Sequence, residues 1–424
     1  MPNDFLARPS DPANAVVIGG GVIGLSTALA LQMRGVSTIL IDAPSPSHAA
    51  SWGNAGHIAV EQVEPLASRA TIRSMPRRLF WRGGALSLPL RDIGAWLPFS
   101  LRLLAATRPA RFEAGRAALG DALGDAMGAW RRLLDRIGAS DLLVEDGHFI
   151  VWESAASAEA GRANWAATDI GRAAMRDATA GELERLAALT RAPIAGAVHI
   201  SGSGQIADLD ALGAALRAGF GAAGGSRIEA RVDRLIVEAG RAALTTTGGA
   251  NHVADAIVVA GGAASGALLE SIGQRVPIIA ERGYHIQSAE TDWPAGMPPV
   301  VFEDRSMIVT HFRSGLRAAS FVEFGRGASP ADPRKWARLR SHIAALGLSF
   351  GLPGTEWMGA RPTLPDYLPA IGRSDRAANL FYAFGHQHLG LTLAATTGDA
   401  VAALVMGDAA PFDLAPFDLK RFGA

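Results

Sequence analysis

Val16-Val17-Ile18 runs directly into Gly19-Gly20-Gly21-Val22-Ile23-Gly24, and an apolar, helix-like stretch continues through Leu31. Strand, glycine turn and helix in that order admit few folds, because they open a parallel sheet with helices packed on its faces. Gly19 permits the tight turn, Gly21 lets a diphosphate approach the backbone, and Gly24 lets helix and strand pack closely. The N–H groups of the first helical turn, at Val22 and Ile23, sit at the positive end of the helix dipole, where phosphate is stabilised. A lone glycine fingerprint is weak evidence, but the context here is complete. Arg34-Gly35 supplies a left-handed helix stop, and residues 36–41 read as a second strand. Asp42 ends that strand near the ~20-residue offset expected of the acid that accepts ribose hydroxyls.

The chain of 424 residues is long enough for two domains or one large interleaved one. Lysine plus arginine and aspartate plus glutamate are both 40, so no global charge recruits nucleic acid. Cysteine is absent, which excludes disulfides, thiolate metal sites, a cysteine nucleophile and a cysteine-linked flavin. Residues 1–12 lack the basic flank and apolar run of a signal peptide, and no spanning helix is expected. The expectation is a cytoplasmic protein, with contact at the inner face of the membrane through residues 76–110 as an added option.

An NAD-type domain would continue with further strand–helix units after Asp42. Here a proline- and serine-rich loop, with His48 at its end, leads to the small residues Ser51-Trp52-Gly53-Asn54-Ala55-Gly56-His57-Ile58. That break in rhythm points to FAD. Residues 76–110 alternate arginine with Trp81, Leu90, Trp96, Leu97, Phe99, Leu101 and Leu103. They read as a helix pair on the core with arginines snorkelling outward, or as a membrane-surface segment. Pro89 and Pro98 interrupt a helical face and favour the core. Residues 111–137 and 155–190 read as helices, 144–152 and 197–200 as strands, and Asp208 as the cap of a helix over 209–220.

Residues 231–237, which include Val232, and 241–247 pattern as a hairpin. Residues 254–263 form another buried strand, ending in Gly261-Gly262 and able to return beside the first. From 278 to 324 the pattern is an antiparallel sheet, with a hairpin across Arg313-Ser314-Gly315 and a helix over 333–346. Three prolines after Arg361 make residues 357–372 a rigid loop holding Arg361 and Asp366. Residues 379–384 read as strand. A second glycine turn, Gly385-His386-Gln387-His388-Leu389-Gly390, then feeds a long apolar helix from Leu391-Thr392 onward. Such a turn suits a second anionic locus.

In order, the first glycine turn with Asp42, the 51–56 loop, Ala260-Gly261-Gly262, Arg361-Pro362-Thr363-x-Pro365-Asp366 and Gly385-His386-x-x-x-Gly390-Leu391-Thr392 resemble the D-amino-acid oxidase superfamily of FAD proteins. Their nearest likeness is to the bacterial D-amino-acid dehydrogenase branch. The resemblance spans nearly the whole chain. It implies an α/β fold: a Rossmann-like FAD-binding domain over 13–75, 200–276 and 355–424, interleaved with an α+β substrate domain over 76–199 and 277–354. Non-covalent FAD would be contacted by Gly19, Gly21, Val22, Ile23, Gly24, Asp42, Ser51, Asn54, Gly56, Ile58, Val232, Gly261, Gly262, Arg361, Gly385, His388, Leu389, Gly390, Leu391 and Thr392. The implied reaction is hydride transfer from a C–N carbon to flavin N5, followed by hydrolysis of the imine to an oxo acid, with a quinone or oxygen as acceptor.

By motif position Arg361 grips the substrate carboxylate, a role suited to a bidentate guanidinium. An arginine bracing its own loop is the plainer alternative. His57 and His388 occupy substrate-facing positions, either as bases for the substrate ammonium or as a polar wall. Met307 falls where several relatives carry a tyrosine, and His311 where the dehydrogenase branch carries arginine. These departures favour a cyclic imino acid such as D-proline, or an N-methylated amino acid. An oxygen-using glycine/sarcosine-type oxidase, a 2-hydroxy-acid oxidation and a non-catalytic flavoprotein subunit are the competing readings. His48 is expected to be surface loop.

Overall fold

The apolar strand Asn14–Ile18 lies at the centre of a six-stranded sheet in a computed structural model that describes residues 12–44 and 49–423. His48 and residues 1–11 lie outside the described residues. Ser37–Asp42 and Ala256–Val259 flank the central strand in parallel, and Leu380–Phe384 continues the parallel order. Ser226–Glu229 and the antiparallel Ala370–Arg373 close the two edges. The inner strands are near-continuous apolar runs because helices or loops cover both faces.

Helix Val22–Met33 packs on one face and is crossed by the long helix Gly390–Met406. Their approach is close: a Cβ on Gly398 would stand 2.7 Å from the Ser26 carbonyl oxygen. Residues 387–406 are apolar and long enough to cross a bilayer, yet they are mostly buried here, as a core helix.

A nine-stranded sheet, largely antiparallel, forms the second layer. Its path begins at Thr355–Thr363 and runs through Ile279–Ser288, Gly315–Gly325, Met307–Phe312, Val300–Phe302 and His148–Trp152 to Gly196–Ser201 and Ala174–Asp177. Leu86–Ser87 pairs alongside. The hairpin expected at Arg313-Ser314-Gly315 is present, with Phe312 opposite Gly315. Helix Pro333–Leu346 matches the expected span, capped by Asp332 and stopped by Gly347. On one side of this sheet Glu323 is fully buried between the Arg282 guanidinium and the Lys335 ammonium.

Several expectations are corrected. Arg361 and Pro362 lie in the strand Thr355–Thr363, not in a loop. Proline is tolerated there because the strand is the sheet's edge, where a missing N–H leaves no ladder partner unpaired. This strand also joins residues 355–363 to the large sheet and not to the FAD-type sheet. Asp366 pairs with Arg421 at 2.7 Å, away from Arg361.

Residues 155–190 contain the helices Ala155–Ala167 and Ala180–Ala187, with the strand Ala174–Asp177 between them. Residues 111–137 are two helices, Pro109–Leu123 and Ala126–Arg136. Both pack against the long helix, and Trp130 Nε1 donates to the Leu391 carbonyl at 2.9 Å, so they belong with the first layer. Periodicity shows that a helix has an apolar face but not what covers it. Helix Ile93–Ala106 runs through Pro98; it buries Phe99, Leu103 and Ala106 but leaves Leu97 and Leu101 exposed.

Burial holds four histidines, His148, His285, His386 and His388, down to about 3. Each stays neutral in the fold while its unfolded counterpart takes a proton near pH 6.5. The native state is therefore penalised as pH falls from 6.5 toward 3, by about 1.4 kcal/mol per unit for each such group. Thermal unfolding followed from pH 8 to 4 should show the melting temperature falling below pH 6.5, before carboxylates titrate. His386→Gln should flatten that fall.

Candidate active site

The first glycine turn, the loop over residues 49–56 and the large sheet enclose a cavity of about 1350 Å³. At one end the turn has no room for side chains. A Cβ on Gly19, where φ is +108°, would stand 2.6 Å from the Ala260 carbonyl oxygen, and one on Gly24 would stand 1.8 Å from the Gly19 carbonyl oxygen. Gly21, the helix N-cap, offers no capping side chain and borders the cavity with Val22 and Ile23. Val22 N–H donates to Ser51 Oγ at 3.0 Å, tying the 49–56 loop to the turn. The Asp42 carboxylate lies beside Gly20, where a Cβ would meet Oδ2 at 2.3 Å. Val232, Gly261 and Gly262 line the same end. These residues fit a dinucleotide, with a helix N-terminus for the diphosphate and a carboxylate for ribose hydroxyls.

The 49–56 loop is held from within and from the sheet. Asn54 Nδ2 donates to the Ser51 carbonyl, and Asn54 Oδ1 accepts from Gly56 N–H, both at 2.6 Å. Asn54 therefore shapes the wall chiefly by closing its own loop. His285 Nδ1 donates to the Gly53 carbonyl at 2.8 Å while its ring stacks on Trp357. Burial drops the Arg317 guanidinium to about 10, and it donates to the Asn54 carbonyl at 2.5 Å.

Six expected contact positions lie behind the cavity wall. Gly24 packs on Gly19, and Gly56 leaves room for the Phe312 ring. Ile58 and Leu389 are core residues. Gly385 takes φ +80° against Leu364, and Thr392 Oγ1 accepts from Ala59 N–H at 2.9 Å. His311 borders a separate small pocket near Pro294, away from this cavity. Gly390 and Leu391 do line the cavity, as do the four residues expected at the reacting end: Arg361, His57, His388 and Met307.

Arg361 stands directly across the strand pair from Glu281. Its Nη1 donates to Glu281 Oε1 at 3.3 Å and to the Phe321 carbonyl at 3.2 Å. The guanidinium lies over Gly283, where a Cβ would meet Nη2 at 2.3 Å. Glu281 is buried and also accepts from Thr363 Oγ1 at 3.2 Å and Tyr367 OH at 3.0 Å. Arg361 keeps about a quarter of its side chain exposed, and Nε and Nη2 make no hydrogen bond among the described residues. The result is a fixed fork with a free edge, suited to a carboxylate.

The two histidines differ. His57 Nδ1 faces the Gly204 carbonyl and Nε2 faces Glu61 Oε1, each at 3.2 Å. Both ring nitrogens are thus engaged, one by a backbone carbonyl and one by the Glu61 carboxylate. Burial alone would push Glu61 up, but its electrostatic interactions with the His57 and His148 rings and its hydrogen bond with His57 reverse this and bring it down to about 2. His148 closes the cluster, with its ring centroid 4.4 Å from that of His57. The ligand-type atoms of all three residues gather within 4.8 Å, with the His57–Glu61 hydrogen bond among them. His388 makes no side-chain hydrogen bond among the described residues; burial, then the Arg361 charge, holds it down to about 3. It is a neutral polar wall.

Glu61, Glu281 and Gly283 were not singled out from sequence. The first is four residues from His57 in a non-helical segment, and the others show only in the strand register. A further feature has no sequence signal. Of five non-glycine residues with positive φ among those described, Ser306, Phe321, Tyr367 and Gln387 all line this cavity. Left-handed backbone costs such residues about 1–3 kcal/mol each and collects at functional sites. At Phe321 it accompanies a bulge opposite Gly283 and aims the carbonyl that Arg361 meets.

Residues 14–404 match the model of the family described as DAO, FAD dependent oxidoreductase. The chain is similar to the D-amino-acid oxidase of Bradyrhizobium diazoefficiens, 30% identical over 421 residues that cover 96% of this chain and 99% of that protein. It is 29% identical to D-amino acid dehydrogenase 2 of Ralstonia nicotianae, over 96% of this chain and 99% of that one. Its fold is shared with the glycine oxidase of Geobacillus kaustophilus, at a TM-score of 0.71 and 24% identity, over 97% of this chain and 98% of that structure.

Gly283→Ala should displace the guanidinium without touching the glycine turn. Steady-state kinetics should show KM for a carboxylate substrate raised about tenfold or more, the scale of one charged hydrogen bond. Flavin content, read from absorbance, should stay that of the parent.

Proposed function

The chain belongs to the DAO family of FAD-dependent oxidoreductases, and from that premise we propose that it oxidises the C–N bond of a D-amino acid or cyclic imino acid and passes the electrons to a quinone-type acceptor. The observation that carries the reading is the Arg361 fork. It is braced by Glu281 and the Phe321 carbonyl and is open along one edge into the cavity that begins at the glycine turn. The names of the relatives from Bradyrhizobium and Ralstonia support the substrate class.

A bound FAD supplies the two-electron acceptor for the oxidation. Gly21, Val22 and Ile23 would hold its diphosphate and Asp42 its ribose, with Gly261 and Gly262 leaving the backbone uncrowded. Arg361 binds the substrate carboxylate and fixes which carbon faces the reacting centre. Met307 borders the cavity yet is fully buried, so it backs this wall with apolar packing and brings no hydroxyl to it. Neither histidine is a good proton acceptor, because both His57 nitrogens are already engaged, by the Gly204 carbonyl and by Glu61, and His388 is far too weak a base. The substrate ammonium therefore loses its proton to solvent, and the amine is the form that reacts.

Three outcomes test this. Anaerobic bleaching of the flavin should occur with D-amino acids or cyclic imino acids and not with the L-enantiomers of acyclic ones; reduction by L-substrates alone would overturn the assignment. Arg361→Lys should cut kcat/KM by about 10- to 100-fold through loss of the bidentate pair. The rate of flavin reduction should rise with pH along the substrate's own ammonium titration, and His388→Asn should leave that inflection in place.

The acceptor is settled by mixing reduced enzyme with a soluble quinone and with oxygen. Faster reoxidation by the quinone supports the dehydrogenase. Faster reoxidation by oxygen would favour the alternative, an oxygen-using oxidase, and the name of the 30% identical D-amino-acid oxidase supports that second reading.

A further inference from the structure

We propose that the face formed by residues 66–112 docks on an anionic membrane surface. Helix Ile93–Ala106 turns Phe99, Leu103 and Ala106 inward, while Ile93, Leu97, Leu101 and Leu104 form an exposed stripe at helical spacing. Leu90, 82% exposed, and Trp81, 71% exposed, belong to the same segment. Of nine exposed large hydrophobic residues among those described, seven fall between Leu66 and Leu104. So dense a patch calls for a covering partner.

Charge identifies the partner. The chain has no net formal charge, yet residues 66–112 contain nine arginines and a single acid, Asp92. All nine arginines are exposed, and Asp92 is buried. A second copy of the chain would set nine guanidiniums against nine, which disfavours self-association through this face. A bilayer bearing anionic headgroups meets both demands, taking apolar side chains into the acyl boundary and guanidiniums at the phosphate level. The attachment is peripheral, since the one helix long and apolar enough to span, among the described residues, is buried in the core.

Arg77, Arg78 and Arg82 also line the large cavity, so the docked face includes part of the cavity's wall. An acceptor dissolved in lipid would then reach the cavity from the bilayer. That consequence rests on the quinone reading, whereas the docking itself does not.

The test is co-sedimentation of the flavin-loaded full chain with vesicles of phosphatidylglycerol and phosphatidylcholine, against phosphatidylcholine alone. Binding should require phosphatidylglycerol and weaken with salt. Arg102→Gln with Arg108→Gln should reduce partitioning roughly fivefold per arginine. Leu97→Gln with Leu101→Gln should reduce it independently of salt. Both variant pairs should keep flavin absorbance and reduction by substrate in solution, because these side chains lie outside the cavity. Flavin absorbance alone certifies the fold if the substrate assignment fails. Absent or lipid-indifferent binding would overturn the proposal. So would a dimer in light scattering that the leucine variants dissociate, which would assign the face to a second copy.

Discussion

The buried carboxylate of Glu281 is the interaction on which the reacting end of the cavity depends. A charge in that position is costly unless every oxygen is engaged, and here Arg361, Thr363 and Tyr367 donate to it. The donors come from one stretch of chain far from Glu281 in sequence, the edge strand Thr355–Thr363 and the turn that follows it. Because register is set by period-two alternation, the neighbouring Arg282 points to the other side of the sheet. There Glu323 and Lys335 complete a second buried network. One strand thus organises two layers of charge, one open to the cavity and one closed.

The other half of the architecture concerns chain ends. The amino-terminal strand takes its sheet partner from residues 256–259, and that strand is paired in turn with residues 380–384. The two glycine turns come from opposite ends of the sequence and border one cavity. Between them the long helix Gly390–Met406 touches the helix of the first turn and the pair over residues 109–136. The 49–56 loop is the bridge to the second sheet, held by His285 and Arg317 through backbone carbonyls. Contacts to backbone leave the Ser51 and Asn54 side chains to tie the loop to the first turn and to itself.

Much of this was legible in the sequence because glycine is informative. At Gly19 and Gly24 only the missing Cβ allows the backbone approach, so the first turn, its flanking strands and Asp42 could be placed from residue type alone. The returning strand at 256–259 and the hairpin at 313–315 followed from apolar runs and turn residues. What escaped depends on register and partner. Proline at 362 reads as a loop signal, yet an edge strand accommodates it. The helices over 109–136 announce an apolar face without naming what it meets. Glu61 and Glu281 look like any acids until the strands His57–Ile58 and Ile279–Ser288 set their neighbours. His57 and His388 read as equivalent candidates, and only burial and hydrogen-bond partners separate a ring engaged at both nitrogens from one that burial holds neutral.

The left-handed residues at the cavity wall bear on how this chain can change over generations. Phe321 and Tyr367 occupy backbone shapes that glycine would adopt more comfortably, so drift or a thermostability screen would reward their loss. Yet Phe321 supplies an oxygen to Arg361, Tyr367 a hydroxyl to Glu281. Robustness and aim are opposed at these positions. A lineage that relaxed them would gain hardiness while losing its grip on the molecule it acts on.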